Sequence, residues 1–257
     1  MGHIRLGRLP RTIRWVAVTD ALGSPGESAA SIASKTLSAA AASLRNAPQE
    51  PGCYLPLLQL SRLAVAARSQ DKFAEQLVEL GISAGDREDG LRLLVALEQA
   101  SLGRAGRQTV YTDIAERAYR EVLLGRVRAQ AESLWGISPT DVRLALAAQS
   151  TENGYSEFAR DWFSRFVGRT LQYFIDRELS NYVGQGAAEN SGDAVRLERE
   201  VLAYANERTR ILKEFSPGWL SKTLWTKGAI PEESAQRFFA YAIKKILDDV
   251  AMEADAP

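Results

Sequence analysis

The sequence predicts an all-α protein, and three observations carry that prediction. Its nine prolines fall at positions 10, 25, 48, 51, 56, 139, 217, 231 and 257, leaving 57–138 and 140–216 without one. Proline beyond the first turn of a helix removes a hydrogen bond and crowds the preceding turn, so long proline-free spans suit helices. No run keeps the β-branched alternation of a strand for more than a few residues, whereas apolar side chains recur at helical spacing throughout. The expected architecture is an irregular multi-helix bundle of about ten helices in two lobes, with a basic N-terminal arm. The arm and first helix occupy 1–23, an N-terminal helical lobe 24–150 and an aromatic-rich C-terminal lobe 151–257, divided at the polar break Gln149–Gly154.

Taken in order, the periodicity predicts helices near 12–22, 25–45, 55–69, 71–80, 88–101, 112–134, 139–149, 155–183, 193–215 and 231–251. Two start signals stand out, Ser24-Pro25-Gly26-Glu27 and Ser138-Pro139-Thr140-Asp141. Each offers a capping Ser, Pro at the first helical position and a carboxylate that can reach back to the cap's N–H. Ile32, Leu37, Ala40, Ala41 and Leu44 give the second helix a small-residue apolar face. Gly81 and Gly184 follow periodic runs, as C-terminal caps do. Loops are expected to be short except at 184–193 and 216–230. The helix 155–183 carries two adjacent apolar stripes, Ala159, Phe163, Val167, Leu171 and Phe174 beside Phe158, Trp162, Phe166, Thr170 and Tyr173. A helix so patterned touches several neighbours at the centre of its lobe.

Composition restricts function sharply. The 257 residues hold 32 basic and 32 acidic side chains, one histidine (His3) and one cysteine (Cys53). Zinc sites, iron–sulfur clusters and di-iron bundles need several His or Cys ligands, and a Ser-His-Asp triad would have to recruit a terminal His3. Chemistry by carboxylate-bound Mg²⁺, Lys, Tyr or Arg survives, as does no chemistry at all. Asp113 and Glu116, Glu157 and Asp161, and Glu198 and Glu200 are the closest acidic pairs. Asp113–Arg117, Glu116–Arg120 and Asp161–Arg165 stand four apart, as on an exposed, ion-paired helix face. Asp248 and Asp249 read as a solvated pair on the last helix. The balance leans away from an enzyme, with no catalytic residue, cofactor or metal site assigned.

A single cysteine allows no intrachain disulfide and suits a structural thiol in a reducing cytoplasm. No uncharged apolar stretch approaches the roughly 20 residues of a membrane span, and the basic N-terminus lacks the apolar core of a secretory signal. Arginine outnumbers lysine 25 to 7, which fits a GC-rich bacterial genome. The expected location is cytoplasmic.

Two segments concentrate unusual residues. The arm carries Arg5, Arg8, Arg11 and Arg14 at strict spacing of three, with no acid before Asp20. Its +4 leaves −4 for the rest of a neutral chain. In a polyproline-like arm a period of three aligns all four guanidiniums, which suits phosphates or a carboxylate-lined groove. An arm laid across its own acidic body, or a solvated tail, also accounts for the pattern. The second segment is Lys213 through Gly228, a Gly/Pro-bearing loop with Trp219, Lys222, Trp225 and Lys227. Tryptophans among lysines could form a stacking platform with phosphate-binding cations, or a partner-binding hot spot. The other reading is that the two tryptophans pin the loop to the core and leave its lysines solvated, since tryptophans in helical proteins are mostly packed.

Three stretches together resemble a known family. They are the opening Gly-His-Ile-Arg-Leu-Gly-Arg-Leu-Pro-Arg-Thr, the run from Phe158 through Tyr173 to Gly184, and Gly218-Trp-Leu-Ser-Lys-Thr. The combination is similar to a family of uncharacterised bacterial all-helical proteins associated with genomic islands and phage-defence gene clusters. The likeness spans most of the chain and brings no catalytic motif with it. It implies an accessory role in a multiprotein defence system.

The function these readings favour is a non-catalytic interaction or adaptor subunit of a bacterial assembly, binding a protein partner through the arm, the Trp219–Lys227 segment or both. The alternative is a nucleic-acid-binding accessory protein using Arg5, Arg8, Arg11, Arg14, Lys222 and Lys227.

Overall fold

The structure, a computed structural model, describes residues 12–102, 109–131 and 136–254. Among them it is all-α. Its helices are α1 Ile13–Gly23, α2 Ala29–Asn46, α3 Pro51–Ala66, α4 Gln70–Glu79, α5 Gly90–Leu102, α6 Val110–Gln130, α7 Pro139–Ala148, α8 Glu152–Leu179, α9 Ser191–Arg208, α10 Leu212–Lys227 and α11 Glu232–Ala254. The described residues contain no strand, only an isolated bridge between Val183 and Ala188. None of their helices is long and apolar enough to cross a membrane.

The chain divides into two compact units. One comprises the described parts of Met1–Asn46, Ser164–Arg210 and Ile243–Pro257, the other those of Ala47–Phe163 and Ile211–Ala242. This differs from the boundary expected near 150, which falls within the second unit. The polar residues there serve as a helix start rather than a linker. Thr151 caps α8, its Oγ1 accepting from the Gly154 N–H at 3.0 Å and its carbonyl from the Tyr155 N–H at 2.8 Å.

In the first unit α1 and α2 pack with the later half of α8, with α9 and with the end of α11. Trp15 meets Phe174 at a ring-centroid distance of 4.6 Å. Ile32, Leu37 and Leu44 of α2, Val167 and Leu171 of α8, Val201 of α9 and Ile246 and Val250 of α11 are all essentially inaccessible. Each such side chain contributes about 1.5–3 kcal/mol. The expected cap at Ser24 became a turn instead: Glu27 N–H donates to the Ser24 carbonyl at 3.3 Å, with Pro25 and a positive-φ Gly26 at its corner. Ser28 starts α2 in its place, its Oγ accepting from the Ser31 N–H at 3.1 Å. α8 ends at Leu179, before the predicted Gly184. The segment that follows folds back so that Ala187 N–H donates to the Leu22 carbonyl at 2.8 Å, satisfying an acceptor freed by the end of α1.

In the second unit α3 is the central helix, with Leu57, Leu58, Leu60 and Leu63 buried. It starts at Pro51, earlier than expected, and takes Pro56 inside. Its buried polar groups are satisfied from neighbouring helices. Tyr119 of α6 donates to the Leu97 carbonyl at 3.0 Å, and Gln59 Nε2 donates to the Tyr119 oxygen at 3.1 Å. Ser61 donates to the Leu57 carbonyl at 2.8 Å, so at 3.1 Å the Tyr155 hydroxyl donates to Ser61. Burial pushes the ionisation of both tyrosines well above the ordinary phenol range. Cys53 is fully buried, and desolvation with the Glu50 charge nearby holds it as a thiol. The Ser138 box forms as predicted, with Asp141 N–H donating to Ser138 Oγ at 3.1 Å and Ser138 N–H to Asp141 Oδ2 at 2.8 Å. Gly81 caps α4 at φ 77°, letting Ile82 N–H reach the Leu77 carbonyl at 3.0 Å.

Two charge expectations are corrected. Arg120 turns from Glu116 to Glu98 of α5, at 2.5 Å, and Glu116 is buried rather than solvated. Burial raises the Glu116 pKa, Asp113 adds to the rise and Arg120 opposes it. Asp249 leaves its solvated pairing for Arg208 of α9 at 3.1 Å, while Lys244 takes Asp248 at 2.6 Å.

A Cβ on Gly186 would lie 2.2 Å from the Leu22 carbonyl oxygen, a backbone atom that cannot step aside. Gly186→Ala is therefore expected to cost about 1–3 kcal/mol, read as a lowered urea midpoint. Asp176 is exposed overall, yet heavy atoms crowding its carboxyl and the facing charge of Glu198 raise its pKa to about 6. A raised carboxylate pKa means that the folded state binds the proton more tightly, so stability falls as pH rises from about 4 to about 6. Asp176→Asn should raise the melting temperature at pH 7.5, and the gain should vanish below pH 4.

Candidate docking surface

The most chemically distinctive surface of the described residues is built by α10 and α11 in the second unit. Sequence punctuation predicts a loop over 216–230; the structure makes most of it helix. The chain breaks earlier, at the 3-10 turn Thr209–Ile211, so Pro217 lies in the second turn of a new helix. There it removes one hydrogen bond without interrupting a long helix. Gly228 closes α10 in the left-handed region at φ 67°, its N–H donating to the Leu224 carbonyl at 2.9 Å.

One face of α10 is held to the first half of α8 by polar contacts. Lys213 pairs with Glu157, and Ser221 Oγ donates to Glu152 Oε1 at 2.8 Å. Arg126 of α6 meets α8 there too, donating to the Glu157 carbonyl at 3.0 Å and approaching Asp161 at 3.5 Å. Lys213, Ser221 and Trp225 follow the same helical row. Glu152 is where α8 begins, so Trp225 projects past its end and no described residue covers it. It is 91% exposed. The structure thus separates the two tryptophans. Trp225 is not pinned to the core.

Trp219 is. It stacks on Phe238 of α11 at 4.3 Å between centroids and lies 5.7 Å from Tyr155 of α8. Phe215 meets Phe238 edge-on at 5.9 Å and Tyr241 at 4.9 Å. Phe215, Trp219, Phe238 and Tyr241 floor a groove of about 360 Å³ between α10 and α11. Lys222, Thr223, Thr226 and Lys227 line one side, and Ser234 and Arg237 the other. Thr226 Oγ1 is spent on the Lys222 carbonyl at 2.8 Å. Arg237 approaches Glu233 at 3.3 Å on exposed surface. Lys222 and Lys227 form no ion pair with any carboxylate among the described residues and are exposed.

Of the residues singled out from sequence, Trp219, Lys222 and Lys227 come together, while Trp225 occupies another face of the same helix. Arg14 is exposed on α1, in the other unit; Arg5, Arg8 and Arg11 lie outside the described residues. Phe215, Arg237, Phe238 and Tyr241 were missed. The signal for the last two was present: Phe238 and Tyr241 stand three apart, beside the Phe239, Ile243, Ile246 and Val250 stripe that is fully buried.

Comparison with family models, curated proteins and solved structures gives no match. The site's own chemistry therefore carries the reading. Among the described residues no three His, Cys, Asp or Glu side chains are grouped so as to hold a metal ion. The groove offers aromatic contact area, two cations without anionic partners among the described residues and a third cation on the facing helix, which is equipment for binding.

Because Trp219 joins the aromatic stack and Trp225 touches little, their truncations should separate. Trp219→Ala is expected to destabilise by about 2–4 kcal/mol and Trp225→Ala by less than about 0.5 kcal/mol, measured by chemical denaturation.

Proposed function

We propose that this chain is a non-catalytic interaction subunit that docks an acidic segment of a protein partner in the groove between α10 and α11. The observation that carries this reading is the pairing of Lys222 and Lys227, neither met by a carboxylate among the described residues, with a floor of four aromatic rings. Binding hot spots combine such rings with desolvated charge, and unneutralised rim cations steer acidic partners onto them. The segment that fits carries an aromatic or branched aliphatic side chain for the groove and flanking carboxylates for Lys222, Lys227 and Arg237. The family resemblance extends the proposal to a bacterial multiprotein assembly in the cytoplasm, of the kind encoded in phage-defence gene clusters.

A second reading is a nucleic-acid-binding accessory protein. It draws on the same lysines together with Arg5, Arg8, Arg11 and Arg14, and the exposure of Arg14 on α1 favours it.

A photo-crosslinking residue at Thr226 should capture the partner in cells, after which affinity is measured with purified proteins. Lys222→Glu/Lys227→Glu is expected to lower that affinity at least tenfold with an unchanged melting temperature. Full-strength binding by the double variant would overturn the proposal. Binding to single- or double-stranded probes, with log affinity falling by about 0.7–0.9 per phosphate against log salt, would favour the second reading.

A further inference from the structure

On the other side of α10, away from the aromatic groove, runs a cleft that the docking proposal does not use. One part, of about 640 Å³, lies among α3, α4 and the turn after α10. Arg62, Arg68, Ser69 and Lys72 line it, with Leu224 and the Gly228–Ile230 turn opposite. A second part, of about 480 Å³, shares Arg68 and Leu224 with the first and adds Ser150, Thr151, Ser221 and Trp225. The shared lining makes the two parts neighbours, with Arg68 and Leu224 at their border. Both fall in the size range of small-molecule sites.

The distribution of charge along the cleft is specific. Arg62 is held at the wall, its Nε donating to the Ile230 carbonyl at 3.0 Å. Arg62, Arg68 and Lys72 form no ion pair with a carboxylate among the described residues, and Arg68 and Lys72 are exposed. Glu75 and Glu79 follow Lys72 on the same face of α4, and both line the first part. Seven residues of helix separate Lys72 from Glu79, about 10 Å along the axis. Glu75 stands one turn past Lys72 and Glu79 two turns past it, so negative charge accumulates along α4 away from its cationic start. In the second part, Glu152 is engaged by Ser221 at 2.8 Å, and the uncovered indole of Trp225 stands at the mouth.

We propose that this cleft binds a phosphate monoester carrying a planar base, with the phosphate at Arg62, Arg68 and Lys72 and the base on Trp225. The cations supply charge-assisted donors, and an exposed indole supplies a stacking face for any base. Glu75 and Glu79 oppose further negative charge beyond the first phosphate, so a monophosphate is preferred to a triphosphate. A free nucleotide and the 5′-phosphorylated end of a single strand share this chemistry.

Calorimetric titration of the intact protein at low salt with AMP, ATP without divalent metal, inorganic phosphate, and pentathymidylate with and without its 5′ phosphate tests the proposal. AMP should bind more tightly than ATP. Arg68→Glu/Lys72→Glu should weaken AMP at least tenfold. Trp225→Ala should weaken AMP about fivefold or more while changing inorganic phosphate by less than twofold, since stacking alone is removed. These side chains are exposed, so thermal melts of the variants should match the parent. A 5′-phosphorylated strand that binds more tightly than AMP would identify the strand end as the source, and the reverse order would identify the free nucleotide. No AMP binding at millimolar concentration, AMP affinity indifferent to either variant, or a strand that binds at least as tightly as AMP and equally with and without its 5′ phosphate would overturn it.

Discussion

The aromatic cluster at the start of α8 is the constraint on which the second unit and its candidate surface depend. Tyr155, Phe158, Trp162 and Phe163 are almost wholly buried, and their rings meet Trp219 of α10 and Phe238 and Phe239 of α11. Tyr155 adds a polar tether, since its hydroxyl can be buried only because it donates a hydrogen bond to Ser61 of α3. Through one residue, α3, α8, α10 and α11 are held in mutual register. The groove floor is the outer layer of this stack, with Phe238 reaching both Tyr155 within and Trp219 and Phe215 toward the surface. A surface built on a packed core is rigid, which reduces the ordering cost of binding.

The same packing explains why the two tryptophans of α10 differ. A helix places residues six apart on different faces, so Trp219 turns to α11 while Trp225 continues the row that faces α8. That row runs out of partner where α8 begins. One tryptophan is consumed by stability. The other is left to solvent beside a cleft of cations. No sequence periodicity could separate them, because the end of a neighbouring helix is a fact of tertiary structure.

Polar satisfaction governs the remaining departures from expectation. Gln149–Gly154 looked like a linker and is a capped helix start; Ser24–Glu27 looked like a helix cap and is a turn. Both segments contain residues that bond their own backbone, and several backbone geometries can use them. Arg120 choosing Glu98 over Glu116 follows similar logic: four-residue spacing permits a pair, but a carboxylate on an adjacent helix competes for the same guanidinium. Glu116 stays buried, and burial raises its pKa, with Asp113 adding to the rise and Arg120 opposing it.

The sequence by itself determined the all-α class, most helix spans, the two buried stripes of α8, the Ser138 box and the Gly81 cap. These follow from local periodicity and capping chemistry, which act within a few residues. It also singled out Trp219, Lys222 and Lys227. Only the tertiary structure decided that 212–227 is a helix, because burial of its Phe215 and Trp219 side against Phe238 outweighs the turn preference of Pro217 and Gly218. It likewise decided which parts of the chain form each compact unit, and that a groove and a cleft lie on opposite sides of one helix. Contacts between residues far apart in the chain set those outcomes, and their energies are not written in any single segment.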